Sequence, residues 1–283
     1  MLIQAYGKIN LSLDITGRRD NGYHDIATLM QMVTLCDEVE ITRNDSGTIT
    51  VDTDCPNLSG GKNNIAYQAC QLMKSTYEID DGFDIFIKKR IPLAGGMAGG
   101  STDAAAVIRG INALCDLKKS DKELMNIGVQ IGADVPFCIQ QNPAMATGIG
   151  EILTPAVGLP ADVWILLVNP GVEVSTKLIY DTIDKQAIYG TVDNQTLAQA
   201  LAASDLQLAK QYMINIMEPV TGTLCRRVPE IIQKLKQTGA FHAMMSGSGA
   251  TCFGLFETKP DINHMQEQFA DCFVCLTKPL PAV

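Results

Sequence analysis

Residues 92–103 run Pro-Leu-Ala-Gly-Gly-Met-Ala-Gly-Gly-Ser-Thr-Asp, with four glycines among the six positions from Gly95 to Gly100. Glycine lets the backbone bend through positive φ and lets a ligand approach the main chain closely. An alternating run, Phe83, Ile85 and Ile87 with polar residues between them, precedes the loop, and a helical pattern begins near Ser101. A helix N-terminus set directly after a flexible loop offers free N–H groups and the positive end of a dipole. Together these features form a cradle for phosphate, so the chain is expected to handle a nucleotide. No Gly-Lys-Ser/Thr closes the loop, so it is not a Walker A motif, and G-x-G-x-x-G spacing is absent. A flexible surface loop is the bland alternative. Under either reading Ser101 or Thr102 is the expected N-cap. Asp103 favours the helix dipole and could also touch a phosphate-bound cation.

Four further places carry polar groups with a potential task. Ser246-Gly-Ser-Gly249 lies between two strand patterns; it reads either as a hairpin connection or as a second wall beside the first loop. Asp134 sits in Ile131-Gly-Ala-Asp-Val-Pro-Phe137, where a carboxylate in apolar company needs a partner or a job. It is either a helix cap or a catalytic or orienting carboxylate, with Lys8 as the natural cationic partner. Ile9, Leu11, Leu13 and Ile15 alternate with Lys8, Asn10, Ser12 and Asp14, so Lys8 and Asn10 share one strand face about 7 Å apart at roughly 3.3 Å per residue. That is the non-core face, where a lysine is ordinarily solvated. Tyr23-His24 follows Asn21-Gly22 in a loop; it is a plain surface turn, or an aromatic and an imidazole that stack on a base and bond its edge.

The elements that must position these groups follow from pattern. Strands are expected near 30–36, 38–43, 48–52, 83–89, 163–168, 241–245, 251–256 and 272–276. Helices are expected near 63–76, 102–114, 120–131, 175–184, 196–212, 226–238 and 261–269. Ser120-Asp-Lys-Glu123 is a capping-box pattern. Strands and helices mix without a repeating βα unit, which gives an α+β class. Its 283 residues suit two domains, and the Pro- and Gly-rich stretch 155–160 suggests a division into 1–156 and 157–283.

The net charge of −9 argues against a nucleic-acid partner. No apolar run approaches the roughly 18 residues of a membrane span, and the first residues carry no leader-like pattern. The nine cysteines, an odd count at irregular spacing, fit a reduced, cytoplasmic protein. Cys272-Phe-Val-Cys275 is the sole CxxC and reads as core packing rather than a metal or redox site.

Taken together, these segments resemble the GHMP kinase superfamily. Residues 92–104 are similar to its phosphate loop and 246–250 to its third glycine motif. Gly7-Lys-Ile-Asn-Leu-Ser-Leu13, Gly17-Arg-Arg-Asp-Asn-Gly-Tyr-His24, Gly132-Ala-Asp-Val-Pro-Phe137 and Gly148-Ile-Gly-Glu151 narrow the resemblance. They match a branch that phosphorylates the 2-hydroxyl of a cytidine-diphosphate-linked sugar alcohol in non-mevalonate isoprenoid precursor synthesis. The motifs run in order from residue 7 to about 254. The resemblance implies a two-domain fold, with an N-terminal ribosomal-protein-like mixed α/β domain for ATP and catalysis. It likewise implies a C-terminal ferredoxin-like α/β domain on the substrate side, with the active cleft expected between the two.

Carried over by position, the resemblance makes Lys8 and Asp134 the catalytic pair. An aspartate is a weak base in water, so orienting the hydroxyl is expected to count for more than abstracting its proton. Pro92, Leu93, Ala94, Gly95, Gly96, Met97, Ala98, Gly99, Gly100, Ser101 and Thr102 would wrap the phosphates of ATP, which Mg²⁺ is expected to accompany with no ligand marked. Tyr23 would stack on cytosine and His24 bond its polar edge; Tyr180 would be the second stacking aromatic. Thr176 and Asn10 would hold the substrate. Two positions depart from the family pattern. Ala98 stands where glycine is usual, so a conformation tolerant of a side chain is expected there. Ile149 stands where arginine is frequent. Another small-alcohol kinase of homoserine or mevalonate type, or a non-catalytic nucleotide-binding regulator, is the alternative. Monomer and homodimer are both compatible with the sequence.

Overall fold

The computed structural model describes residues 1–190 and 192–281. The first half of the chain runs β1 (Leu2–Asn10), β2 (Asp14–Arg18), β3 (His24–Asn44), β4 (Ile49–Thr53), α1 (Ile65–Tyr77), β5 (Gly82–Lys88), α2 (Gly99–Leu114), α3 (Asp121–Gly128), α4 (Val135–Gln140), β6 (Ala144–Thr147) and β7 (Ile152–Pro155). It continues through β8 (Trp164–Asn169), α5 (Thr176–Gln186), α6 (Asn194–Ala202), α7 (Leu206–Tyr212), α8 (Glu218–Leu224), α9 (Arg227–Gln237), β9 (His242–Met245), β10 (Cys252–Phe256), α10 (Ile262–Gln268) and β11 (Phe273–Thr277). This mixture is the α+β class expected.

The chain folds into two compact units that interleave along the sequence. One comprises Met1–Gly7, Leu35–Leu93 and Ala98–Gln141; the other comprises Lys8–Thr34, Ala94–Met97 and Asn142–Val283. These contact-based units differ from consecutive halves at 156/157, because the chain between Lys8 and Thr34 and four residues of the glycine loop pack with the later part of the chain.

In the first unit β5 lies between β4, to which it runs parallel, and the second half of β3, to which it runs antiparallel. Phe83, Ile85 and Ile87 of β5 turn to the core, with Val39 and Ile41 of β3 beside them. Helix α2 presents a run of small residues, Ala104, Ala105 and Ala106, that are fully buried. Asn64 caps α1 by accepting from the Ala66 N–H, and Ser120 with Glu123 forms the expected capping box of α3.

In the second unit four antiparallel strands lie in the order β11-β8-β10-β9. The apolar run expected as a buried strand is β8, and every residue of β10 is buried as well. Ile179 and Ile183 of α5, Val228, Ile231, Ile232 and Leu235 of α9, and Met265 of α10 pack into one core with Leu166, Val168 and Cys252 of this sheet. The same unit holds β2 and the first half of β3, paired antiparallel with a bulge between Ile15 and Gly17, and the β6–β7 hairpin.

Four expectations need correction. The strand pieces at 30–36 and 38–43 are one 21-residue strand that already starts at His24. The helix expected over 196–212 is two: Asp205 stops α6 and caps α7 through the Leu208 N–H. Helix α8 went unforeseen; it carries Pro219 in its first turn, a position that suits proline. Helix α2 starts at Gly99, with Ala98 as N-cap and no side-chain capping bond, so neither Ser101 nor Thr102 is the cap. Among the described residues no helix is long and apolar enough to cross a membrane. All nine cysteines are free thiols, with Cys272 and Cys275 half-buried.

Ala98 does not adopt the tolerant conformation expected of it: φ is +56° and ψ is 31°, a left-handed geometry that crowds an L side chain against its own carbonyl. Ala98→Gly should therefore raise unfolding free energy by about 0.5–1 kcal/mol, the relief of strain exceeding the entropy glycine adds to the unfolded chain. Equilibrium denaturant unfolding checks this, and an unchanged or lowered midpoint would refute it.

Candidate functional site

In the second unit the two glycine loops meet face to face. A Cβ built on Gly96 would fall 2.1 Å from the Ser246 carbonyl oxygen, and one on Gly247 would fall 3.1 Å from the Gly96 oxygen. Both residues have positive φ, +75° and +57°. Ser246 locks the approach: its Oγ donates to the Gly96 oxygen at 3.0 Å, and the Thr251 N–H donates to the Gly95 oxygen at 3.3 Å. The hairpin reading and the second-wall reading of 246–249 are both right, since the loop joins β9 to β10 and lies against 94–97.

The end of β1 and the residues after it are built into the same seam. The Lys8 N–H donates to the Met97 oxygen at 3.1 Å, and the Asn10 N–H to Ser246 Oγ at 3.2 Å. Lys8 Nζ donates to Asn10 Oδ1 at 2.7 Å; Asn10 Nδ2 donates to Thr28 Oγ1 at 2.8 Å, whose own hydroxyl donates to the Ser12 carbonyl. Lys8 and Asn10 are 5% and 2% exposed, so the face taken for solvated is buried. Burial does not alternate from Lys8 to Ile15 and the strand ends at Asn10: the segment is covered on both sides, which period two alone does not reveal.

Asn215 holds the second loop from behind. Its Nδ2 donates to the carbonyls of Met245 and Gly247 at 2.9 and 2.8 Å, while its Oδ1 accepts from the Met217 N–H. Thr221 Oγ1 donates to the Ser248 oxygen, and Ser248 Oγ lies 2.9 Å from Thr176 Oγ1. Asn215 was not singled out from sequence. The signal was an amide set alone in Met213-Ile-Asn-Ile-Met217, a polar group in an apolar run that must find partners.

Gly17–His24 and α5 make a second cluster in the same unit. His24 is the first residue of β3, not a loop residue, and is 8% exposed. Its ring stacks on Tyr180 with centroids 4.4 Å apart and planes 13° from parallel. Its Nε2 lies 2.7 Å from Asp184 Oδ1, which also accepts from the Tyr189 hydroxyl at 2.6 Å; Arg18 reaches Asp184 Oδ2 at 3.2 Å. Tyr23 stands in the turn before, 60% exposed, with its ring turned to solvent. Asp184 was not foreseen, although i+4 from Tyr180 places both on one helix face. Near this strand Gly148 accepts from the Ile26 N–H, and Ile149 donates its N–H to Glu151.

In the first unit the helix that follows the first glycine loop starts without a side-chain capping bond from its N-cap. The first intrahelical bond runs from the Thr102 N–H to the Ala98 oxygen, so Gly99, Gly100 and Ser101 precede it with the positive end of the dipole behind them. Thr102 Oγ1 is spent on the Tyr6 carbonyl. Asp134 is the N-cap of α4 but makes no side-chain capping bond; its carboxylate does not serve the helix it starts. Residues 92–93 and 98–102, with Asp134, belong to this unit, whereas Lys8, Asn10, Tyr23, His24, Thr176, Tyr180 and 94–97 belong to the other.

Asp103 does not point to a phosphate. It is buried, and Lys89 Nζ donates to its Oδ2 at 2.6 Å and to Asp37 Oδ2 as well. Asp37 Oδ1 also accepts the N–H groups of Arg90 and Ile91, which anchors the chain just before the glycine loop. Burial, with Asp37 as a second negative neighbour, pushes Asp103 up to about 7, while Asp103 and Asp37 raise Lys89 against its desolvation. Asp37 was hidden in Cys36-Asp-Glu-Val39, where the charge read as a strand break.

Comparison with known proteins was made on this geometry. Residues 64–142 match the GHMP kinases N terminal domain and 197–275 the GHMP kinases C terminal domain. The chain is 42% identical over 259 residues to 4-diphosphocytidyl-2-C-methyl-D-erythritol kinase of Clostridioides difficile, covering 92% of this chain and 88% of that one. To the kinase of the same name from Acetivibrio thermocellus it is 42% identical over 279 residues, 97% and 98% of the two chains. A crystal structure of 4-(cytidine 5'-diphospho)-2C-methyl-D-erythritol kinase superposes with a TM-score of 0.81 at 27% identity, over 99% of this chain and 100% of that one. A homoserine kinase from Cytophaga hutchinsonii superposes with a TM-score of 0.74 at 19% identity, over 97% and 95%, and shares the fold alone.

Two outcomes follow. Gly96→Ala should separate the two loops and raise the KM for the nucleotide by about tenfold or more, the equivalent of 1.4 kcal/mol; an unchanged KM with native circular dichroism would refute the seam. Native Asp103 keeps a proton to about pH 7 that the unfolded chain loses near pH 4. Its stabilising contribution is thus complete below pH 4 and lost as pH rises through 7. Asp103→Asn should flatten the decline of thermal stability between pH 5 and 7.5, by at most about 1.4 kcal/mol per pH unit. Parallel curves for the two proteins would exclude this titration.

Proposed function

The chain belongs to the GHMP kinases, in the branch of the 4-diphosphocytidyl-2-C-methyl-D-erythritol kinases, and from that membership we propose how its own residues work. The reaction is ATP-dependent phosphorylation of the 2-hydroxyl of 4-diphosphocytidyl-2-C-methyl-D-erythritol, a step of the non-mevalonate route to isoprenoid precursors. The observation that carries the residue assignment is the seam itself: buried Lys8 and Asn10 are hydrogen-bonded into both glycine loops.

Residues 92–102 are assigned to the ATP phosphates. The N–H groups of Gly99, Gly100 and Ser101, uncapped by any protein side chain, supply donors to the phosphate oxygens. Thr102 contributes its place in the first turn, its hydroxyl being spent on Tyr6. In the transfer, the substrate's 2-oxygen bonds to the γ-phosphorus, the bond from that phosphorus to the β–γ bridging oxygen breaks, and ADP leaves with the electron pair. Positioning and charge stabilisation carry most of the acceleration in such a transfer. Asp134 is assigned to orient the attacking hydroxyl and receive its proton. Lys8, fixed by Asn10, is assigned to steady the hydroxyl and the charge on the transferring phosphoryl group.

Mg²⁺ is proposed to arrive with ATP. Among the described residues no three carboxylate, histidine or cysteine side chains gather to hold a metal ion, and Asp103 is committed to Lys89. No step is routed through the ion. On the substrate side, His24 and Tyr180 are already stacked and Tyr23 is exposed; these rings are assigned to the cytosine, with Thr176 near the polyol. This aromatic cluster favours a cytidine substrate over homoserine or mevalonate. The halves 1–156 and 157–283, each holding one family match, are the proposed modules, and the cytoplasm, where ATP is abundant, the proposed location.

Asp134→Asn should lower kcat by about 10²–10⁴-fold with little change in either KM, measured by coupled ADP release. An undiminished rate removes Asp134 from the mechanism. Phosphoryl transfer should also require the cytidine end of the substrate; equal turnover of methylerythritol lacking the nucleotide would refute the assignment of the aromatic cluster.

A further inference from the structure

His24 is held more tightly than a base-edge contact requires, and the restraint has a definite chemical direction. One face of its ring lies on Tyr180, which fixes the plane. Nε2 lies 2.7 Å from Asp184 Oδ1, which fixes rotation within that plane. Asp184 is itself fixed by three groups: His24, the Tyr189 hydroxyl on the same oxygen, and Arg18 on the other. A hydrogen bond from Tyr189 above all, with His24 and Arg18 adding to it, keeps the Asp184 carboxyl below the usual carboxylate range. An ionised carboxylate accepts only, so the nitrogen facing it must carry the hydrogen.

We propose that Asp184 is a positioning residue that sets the tautomer of His24 and through it the choice of pyrimidine. With hydrogen on Nε2, the neutral ring has a lone pair on Nδ1. Nδ1 is then an acceptor. Cytosine offers a donor, its exocyclic amino group, where uracil offers a carbonyl oxygen. Acceptor against donor forms a bond, while acceptor against acceptor leaves two groups unpaired in a site closed to water, which is a strong form of discrimination. The inference rests on the assignment of the aromatic cluster to the cytosine and adds to it the group that decides how His24 reads the base. Neither Asp184 nor Tyr189 touches the base in this scheme. They act through the imidazole, much as a carboxylate behind a metal-bound histidine fixes its tautomer.

The test has two arms. The first needs no substrate: long-range ¹H–¹⁵N spectra of the chain's three histidines, with His24 assigned by its loss in His24→Gln. Native His24 should be the Nε2-protonated tautomer, and Asp184→Ala should show a mixture with the Nδ1-protonated form. The second arm is kinetic. Asp184→Ala should raise the KM for the cytidine substrate about tenfold and lower the preference for cytidine over the uridine analogue by a similar factor, equivalent to one hydrogen bond of about 1.4 kcal/mol. kcat and the KM for ATP should stay within about twofold, which a general loss of structure would not allow. If Asp184→Ala does not fold, Asp184→Asn, of equal size and uncharged, should give the same shifts in smaller measure. An unchanged tautomer together with an unchanged pyrimidine preference in a folded variant overturns the proposal. A native chain that turns over no cytidine substrate would overturn the kinase assignment instead, and the tautomer spectra would still decide the role of Asp184.

Discussion

The close approach of two glycine loops is the constraint on which the site in the second unit depends. Gly96 and Ser246 come so near that no side chain fits on Gly96, and the seam is closed by hydrogen bonds whose donors and acceptors are buried or half-buried. Such a network is stable only when each member is satisfied. Here Ser246 Oγ both donates to Gly96 and accepts from Asn10, and Thr28 both accepts from Asn10 and donates to Ser12. One consequence is that Lys8 cannot swing into solvent: its backbone is tied to Met97 and its ammonium to Asn10. A buried ammonium at a fixed place, beside a loop whose backbone can bind phosphate, is costly for stability and useful for chemistry.

An acidic chain that binds anionic ligands must solve an electrostatic problem locally. The net charge of −9 repels a triphosphate at long range, although salt screens exposed charges beyond about 8 Å. Short-range backbone dipoles answer this better than scattered lysines, because they are fixed by the fold and need no counter-charge. The start of α2 follows that logic. Ala98, at positive φ, brings no capping side chain, and the turn's N–H groups are the ones proposed to meet the phosphates. Asp103 would oppose such a ligand if it were ionised and alone. Burial and the nearby Asp37 push its carboxyl up to about 7, and Lys89 pairs with the charge that remains, so the first turn of α2 keeps its positive character.

Much of this was legible in the residues. The glycine loop, its neighbouring strand and helix, the second loop and the capping box of α3 all rest on local rules, and they appear where those rules put them. Lys8, Asn10, His24 and Tyr180 were recognised as candidates, yet their surroundings were not. Alternation showed that Lys8 and Asn10 share a face but could not show that this face is covered, because what covers it comes from more than two hundred residues away at Ser246. The helix cap was misplaced because Ser101 and Thr102 have the right chemistry for a cap while the backbone turns at Ala98, a residue with none. Long-range partners such as Asn215, Asp37 and Asp184 left only weak marks, each a polar residue whose partner was not adjacent in sequence.

The arrangement around His24 shows why such partners matter more than their weak signals suggest. A histidine in an exposed turn exchanges tautomers freely and presents donor and acceptor to a ligand in alternation. The same residue as the first position of β3, stacked on Tyr180 and facing Asp184, presents one chemistry at one angle. The cost is the ordering of a partly exposed carboxylate, offset by Tyr189 and Arg18. These two groups belong to the structure for the sake of Asp184, as Asp184 does for His24. Under the proposed assignment, specificity for a base is built three residues deep, and only the outermost, the histidine, is visible as a motif.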